Sequence, residues 1–330
     1  MTPRPDSGVE SRHDHRLLVR AATMYHLDGM TQAQVAERLG VSRPTAGRLV
    51  ARARALGLVQ VTVTVPEDLA ESFHPGEERA LEEAFGLVEV MIIDESDTSS
   101  SPGHAAVGRA ALGRAGATQL RRRLQPGDTL GFTWGPEQLA VADALTGAAR
   151  CSRVVQMDGA MSTVPYYSGA DHALTRFAEH LDARAIRLTA PLYADPATVR
   201  ALKRDSVVSP ALTAGIHADV MLFGVGSVST STTLFEGAYI DAAVLDELRS
   251  LAAVGEIGGR FYDADGAELP SSLVARTLSV PLEAIRACRT SILIANDADR
   301  HESVRAALRG GYATVLVTDL ATARWLIEHR

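Results

Sequence analysis

The chain has 330 residues, 46% of them apolar, and a formal net charge of −7. That composition excludes global disorder, and no apolar run reaches the roughly 18–20 residues that a bilayer span needs. The charge is unevenly placed: residues 1–60 hold nine Arg and five acids, a net of +4, which leaves −11 for the rest. A basic module joined to an acidic body of about one further domain is the expected plan. The first residues carry no apolar core of a secretory signal, so a cytoplasmic location is expected. Cys151 and Cys288 stand alone, with no spacing for a metal and no sign of a cofactor.

Residues 1–13 are polar and Pro/Gly-containing and are expected to form a disordered tail. Leu17, Leu18, Ala21, Ala22 and Tyr25 recur at helical spacing, and Asp28-Gly29 should end that helix. Thr31 is the expected N-cap of Gln32–Leu39, where Val35, Ala36 and Leu39 share a face. Gly40 makes the turn, and Ser42 caps a third helix from Arg43 to about Leu56, with Pro44 in its first turn. Ala46, Leu49, Val50, Ala53 and Leu56 form its apolar stripe. Two short helices joined by a Gly-containing turn and packed on a preceding helix make a helix-turn-helix over residues 14–57. Its outer face is basic, and no acid occurs between Glu37 and Glu67. Arg43, Thr45 and Arg48, near the start of the second helix of the motif, are expected to reach base edges in a major groove. Ser42 lies on the same face, and Arg52, Arg54 and Thr31 are expected to hold phosphates. Gly47 is the discordant residue, because an interior helical Gly costs about 1 kcal/mol relative to Ala.

Leu58–Val65 alternates and is β-branched, so it reads as a strand within a connector over residues 58–75. Beyond it, strand segments are expected at Leu87–Ile93, Asp128–Thr133, Arg153–Met157, Ala185–Thr189, Asp219–Val225, Ser291–Ala295 and Ala313–Val317. Helical segments such as Ala105–Leu124, Glu137–Leu145, Ala173–Leu181 and Val304–Leu308 lie between them. The alternation predicts an α/β domain over residues 76–330, a mostly parallel sheet with helices on both faces. Ligands of such sheets bind beyond the carboxyl ends of the strands. Three of those ends run into Trp134-Gly135-Pro136-Glu137, Asp158-Gly159 and Gly226-Ser227-Val228-Ser229-Thr230. Small residues there can present N–H groups to a phosphate or a polyol. Gly224-Val225-Gly226 does not extend to a dinucleotide fingerprint, and the single lysine, Lys203, has no phosphate-loop glycines before it.

Taken in order, several blocks carry a family resemblance: MYHLDGMTQAQVAERLGVSRPTAGRLVARARALGLV, QPGDTLGFTWG, VVQMDGA, LTAPLYADPATVRALKRD, ADVMLFGVGS, AVGEIGGRFYDADG and RAALRGGYATVLVTDLATARWL. The chain resembles the SorC family of sugar-binding transcriptional regulators over nearly its whole length. The resemblance implies a Rossmann-like α/β effector domain related in fold to sugar-phosphate isomerases and deaminases, without their catalysis. It implies a carbohydrate effector, a sugar or polyol phosphate, that alters binding to a DNA operator, and assembly as a homodimer or homotetramer. Carried over by motif, the effector pocket comprises Thr133, Trp134, Gly135, Gly159, Gly224, Gly226, Ser227, Glu256 and Asp263, with Glu137 in the adjoining helix start. Where the family has Gly-Gly and then a phosphate-facing Lys, this chain reads Ala295-Asn296-Asp297-Ala298-Asp299-Arg300, which puts Arg300 at the Lys position. Arg binds phosphate as a fork, whereas Asp297 and Asp299 would repel one unless they point away. Some relatives form a Schiff base through a lysine; Lys203, in a charged helical stretch, reads instead as a solvated surface residue. The competing class is a sugar-phosphate isomerase- or deaminase-like enzyme fused to a helix-turn-helix, with Glu137, Glu256, Asp263 and His217 as its candidate acids and bases. His217, just before a strand, reads more simply as a helix-end residue. A purely structural nucleoid protein does not fit the acidic body.

Overall fold

The computed structural model describes residues 7–61, 73–93, 102–147, 149–161, 169–230, 232–236 and 239–330, and their side chains except those of 7–13, 102–107 and 233. The chain divides into two compact units, Met1–Pro66 and Glu67–Arg330, and the division falls inside the expected connector.

The first unit holds α1 (Ser7–His26), α2 (Gln32–Leu39) and α3 (Arg43–Ala55). Helix α1 starts at Ser7, so half of the expected tail is helical; residues 1–6 lie outside the described residues. Gly29 and Gly40 take left-handed conformations at φ 66° and 67° and turn the chain after α1 and α2. Thr31 caps α2 reciprocally: its Oγ1 accepts from the Gln34 N–H at 3.4 Å, while its own N–H donates to Gln34 Oε1 at 2.9 Å. Ser42 Oγ accepts from the Thr45 N–H at 3.4 Å and caps α3. These caps satisfy donors that the first turns would otherwise leave free. Ala21, Met24, Val35, Ala36, Ala46 and Val50 form the core of the three helices. Leu49 is only half-buried and Leu56 is 50% exposed, so the apolar stripe of α3 ends a turn earlier than expected. Gly47 has a steric reason. A Cβ there would meet the tip of the Gln32 side chain, Oε1, at 3.2 Å, so the small residue leaves room for that side chain in its present position. The expected strand at Leu58–Val65 is corrected in part: residues 58–61 form no strand, and 62–65 lie outside the described residues.

The second unit runs α4 (Pro75–Phe85), β1 (Glu89–Ile93), α5 (Pro102–Arg123), β2 (Thr129–Phe132), α6 (Pro136–Ala144), β3 (Arg153–Gln156), α7 (Ala170–Leu181) and β4 (Arg184–Ile186). It continues with α8 (Pro196–Leu202), α9 (Val208–Ile216), β5 (Val220–Phe223), α10 (Thr233–Glu236), α11 (Ala242–Ser250), β6 (Gly255–Ile257) and β7 (Arg260–Tyr262). The chain closes with α12 (Leu282–Ala287), β8 (Thr290–Ile294), α13 (His301–Arg309), β9 (Val315–Asp319) and α14 (Leu320–Glu328). All seven expected strand segments contribute to one sheet of order β1-β9-β8-β5-β2-β3-β4, and every pairing in it is parallel. Strand β4 begins before its expected position and stops at Ile186.

The sheet is buried on both faces. Along β5, Val220 and Leu222 enter one core with Leu112, Val141 and Phe177, while Met221 and Phe223 enter the other with Val304 and Leu326. Alternate side chains of a strand point to opposite faces, so an uninterrupted apolar run is what this position requires. The order also reverses about β2. From β2 the chain winds outward through β3 and β4, then returns to the other side of β2 as β5 and winds outward through β8 and β9.

Helices α5 and α6 meet closely: a Cβ on Gly113 would lie 2.5 Å from the Ala140 carbonyl oxygen, whereas one on Gly76 would meet nothing within 4 Å. Gly113→Ala is therefore expected to cost roughly 1–3 kcal/mol through overpacking, and Gly76→Ala to be neutral or to add up to about 1 kcal/mol. Equilibrium urea unfolding of the two variants checks this, and equal losses at both positions would contradict it.

Candidate effector site and DNA-facing surface

The strand-order reversal leaves a crevice between the carboxyl ends of β2 and β5, the place where open α/β sheets bind ligands. A cavity of about 190 Å³ lies there. Thr133, Trp134 and Gly135 leave β2 at its rim; Gly224, Val225, Gly226 and Ser227 leave β5; Arg300 and Asp299 come from the 3-10 turn after β8. Of the residues singled out from sequence, Thr133, Trp134, Gly135, Glu137, Gly224, Gly226, Ser227, Glu256 and Arg300 line this one cavity. Gly159 and Asp263 do not. Gly159 is a packing residue, since a Cβ there would strike the Pro191 carbonyl carbon at 2.4 Å. Asp263 Oδ1 accepts from the N–H groups of Asp265 and Ala267 and shapes a turn.

The second sheet, the two-stranded hairpin β6–β7, was not legible as strands and supplies one wall. Its two-residue turn is Gly258-Gly259, at φ 56° and 79°, where both residues need the left-handed region. That Gly-Gly, between Glu256-Ile257 and Arg260-Phe261-Tyr262, is the signal that could have revealed it. The hairpin is fastened from both sides. Gly226 and Glu256 exchange backbone hydrogen bonds of 3.0 Å each. The buried Arg260 guanidinium donates to Ser279 Oγ and to the Ser279 and Val280 carbonyls at 3.0–3.1 Å. Gly226 must be glycine, because a Cβ would stand 2.3 Å from Glu256 Oε1.

The cavity is acidic. Glu137, Asp158, Glu256 and Asp299 line it, and Arg300 is the one Lys or Arg among its lining residues. Asp158, absent from the sequence-based set, accepts the Trp134 N–H on both carboxylate oxygens at 3.1 Å. Burial nonetheless pushes its pKa up to about 7, with the charge of Glu256 adding to the effect. Glu256 is also raised by burial, against the Gly259 N–H that donates to Oε2 at 2.7 Å and the charge of Arg300. Arg300 Nη1 donates to Glu137 Oε1 at 3.0 Å, and the Glu137 side chain is only 5% exposed. Gln138 is fully buried, and neither its amide oxygen nor its amide nitrogen has a partner among the described residues. Buried polar atoms are rarely left so, and a ligand hydroxyl can both donate to the one and accept from the other.

The remaining candidates lie elsewhere. His217 is the C-cap of α9 and borders a separate groove with Thr129 and Arg153. Lys203 is the exposed C-cap of α8. Among the described residues no group of His, Cys, Asp and Glu is placed to hold a metal ion. In the first unit, Ser42, Arg43, Arg48, Arg52 and Arg54 are exposed and Thr45 half-exposed. Arg48 Nη2 donates to Thr45 Oγ1 at 3.3 Å, and Thr45 Oγ1 lies 2.8 Å from Ser42 Oγ, which orders these side chains at the start of α3. Thr31 and Arg43 border one surface groove.

Comparison with known proteins agrees with this geometry. The family model described as "Putative sugar-binding domain" matches residues 75–328, and a MarR-family model matches residues 21–68. The chain is 32% identical over 319 residues to the deoxyribonucleoside regulator of Bacillus subtilis, covering 96% of this chain and 99% of that one. It is 30% identical over 318 residues to the erythritol catabolism regulatory protein EryD of Brucella abortus, covering 95% and 97%. The crystal structure of the full-length sorbitol operon regulator SorC of Klebsiella pneumoniae matches with a TM-score of 0.70 and 28% identity, over 98% of this chain and 100% of that one. The class is a helix-turn-helix DNA reader joined to a sugar-binding α/β domain. Within it, the chain belongs to the SorC family of sugar-binding transcriptional regulators. It is a transcriptional regulator whose DNA binding is controlled by a carbohydrate effector. No described helix is long and apolar enough to cross a membrane.

The Asp158 carboxyl sets a pH dependence. Its folded pKa lies above its ordinary 3.8, so the folded state holds the proton more tightly than the unfolded one. Its contribution is fully favourable below pH 3.8 and is lost as pH rises toward 7. Relative to Asp158→Asn, the wild-type chain should lose up to about 4 kcal/mol of stability across that window. Parallel stability–pH curves for the two proteins would refute this.

Proposed function

We propose that this regulator reads its operator with Arg43, Thr45 and Arg48 and binds its effector in the β2/β5 cavity. The observation that carries the second half is Gln138: a fully buried amide with no partner among the described residues, in a cavity lined by carboxylates. Carboxylates and an amide are the groups that hold sugar hydroxyls, since each takes or gives hydrogen bonds in a fixed direction. The relatives' names point to a sugar-derived or polyol ligand, a deoxyribonucleoside in one case and erythritol in another. Arg43 forks onto guanine O6 and N7, and the Thr45 methyl touches a thymine methyl. Arg52, Arg54 and Thr31 hold phosphates and fix the register.

The protein acts without catalysis. A lysine-based mechanism has no support, because Lys203, the single lysine, caps α8 on the surface. His217 caps α9 beside a different groove. Cytoplasmic, homodimeric or homotetrameric protein would then bind a pseudo-palindromic operator, with half-sites spaced by its symmetry. Effector binding shifts the population between DNA-competent and incompetent forms, through differential affinity for the two.

Fluorescence anisotropy with an operator enriched from random duplexes tests the DNA half. Arg43→Ala should cost about 1–3 kcal/mol on the operator and little on unrelated DNA. Arg52→Ala should weaken both alike and lower the salt slope by about one. Equal losses on both duplexes for Arg43→Ala would remove the base-reading role. The effector that stabilises the protein should change operator affinity by about 5-fold or more; turnover of any sugar phosphate would instead favour an isomerase- or deaminase-like enzyme.

A further inference from the structure

Several donors at the cavity that could serve an anionic ligand are held by the chain's own acceptors, three of them by carboxylates. Arg300, the one Lys or Arg among the lining residues, donates from Nη1 to the buried Glu137 at 3.0 Å. The Trp134 N–H at the end of β2 is shared by both oxygens of Asp158, and the Gly259 N–H of the hairpin turn is held by Glu256 at 2.7 Å. The Gly226 N–H after β5 donates to the Glu256 carbonyl at 3.0 Å. The amino end of α6, which could have favoured an anion, carries Pro136, which has no N–H, and Glu137 in its first turn.

We propose that this cavity takes a sugar or polyol that carries no phosphate. The inference rests on reading the cavity as the effector site. A phosphate dianion entering it would meet Asp158, Glu256 and the exposed Asp299, while the one guanidinium among the lining residues is already offset by Glu137. Negative charge is costly there even for the resident groups: burial raises both Asp158 and Glu256. A neutral polyol faces no such repulsion. Its hydroxyls donate to the carboxylates and satisfy both ends of the Gln138 amide, which no described group does. Asp297, at φ 79°, and Asp299 precede Arg300 in the same loop and add acid beside it.

Isothermal titration of the full chain tests this with tetritols, pentitols, hexitols, aldopentoses and ketohexoses, each beside its own terminal monophosphate. At least one parent compound should bind, and bind about tenfold or more tightly than its phosphate. Glu137→Gln, which frees Arg300, should shift that ratio toward the phosphate by about tenfold; a thermal melt confirms that the variant is folded, and the wild-type comparison does not depend on it. A phosphate that binds the wild-type chain more tightly than its parent overturns this inference and leaves the sugar site standing. No binding by any compound removes the sugar-site reading itself, and the inference with it.

Discussion

The second unit depends on one topological event, the return of the chain to the opposite side of β2 after β4. Because β5 and β3 both pair with β2 in parallel, the connections leaving β2 and β5 diverge and the space between their carboxyl ends cannot be filled by either. Much of the cavity rim inherits its place from that divergence. Trp134 and Gly135 leave one strand, Gly224 to Ser227 leave the other, and the β8 loop beside β5 brings Arg300 across to Glu137 at the start of α6.

The second constraint is electrostatic. Acidic groups converge on the crevice, and Asp158 and Glu256 are met by backbone N–H groups and Glu137 by Arg300. Such pairing is the condition under which buried charge is tolerated. It also gives the site its chemical bias, since donors committed to internal carboxylates are withdrawn from a ligand. The hairpin β6–β7 is held rigidly for the same reason. Glu256 can lie against Gly226 only because a side chain is missing there, and Arg260 ties the hairpin to Ser279 and Val280 beneath it.

The helix-turn-helix was readable almost residue by residue, because its determinants are local. Capping oxygens at Thr31 and Ser42, a left-handed Gly40 and small residues at the helix crossing are all visible in a one-dimensional pattern. The parallel strands were readable for a related reason, since burial on both faces demands an apolar run. Misjudgements came where local signals ran out. Leu56 matches the apolar period of α3 but lies beyond the point where α1 covers it, and it is exposed. The three-residue strands of the hairpin are too short for periodicity to register. Gly159 and Gly226 look alike in sequence; one makes room for the Pro191 backbone and the other for the Glu256 carboxylate.

By itself, the sequence determined the basic reader, the α/β class and the seven strand segments, and the family resemblance pointed to nine residues that line the candidate cavity. The reader, the class and the strands follow from periodicity, capping chemistry or composition, properties that adjoining residues carry together, whereas the cavity residues came from the motifs of the family resemblance. Tertiary structure alone decided the electrostatic character of the cavity. Glu137 and Arg300 are separated by more than half the α/β domain in sequence, and Trp134 and Asp158 by a helix and a strand, so no local pattern could pair them. Only the strand order brings these groups within hydrogen-bond distance, and that distance settles whether Arg300 stands ready for a ligand or is already held by Glu137.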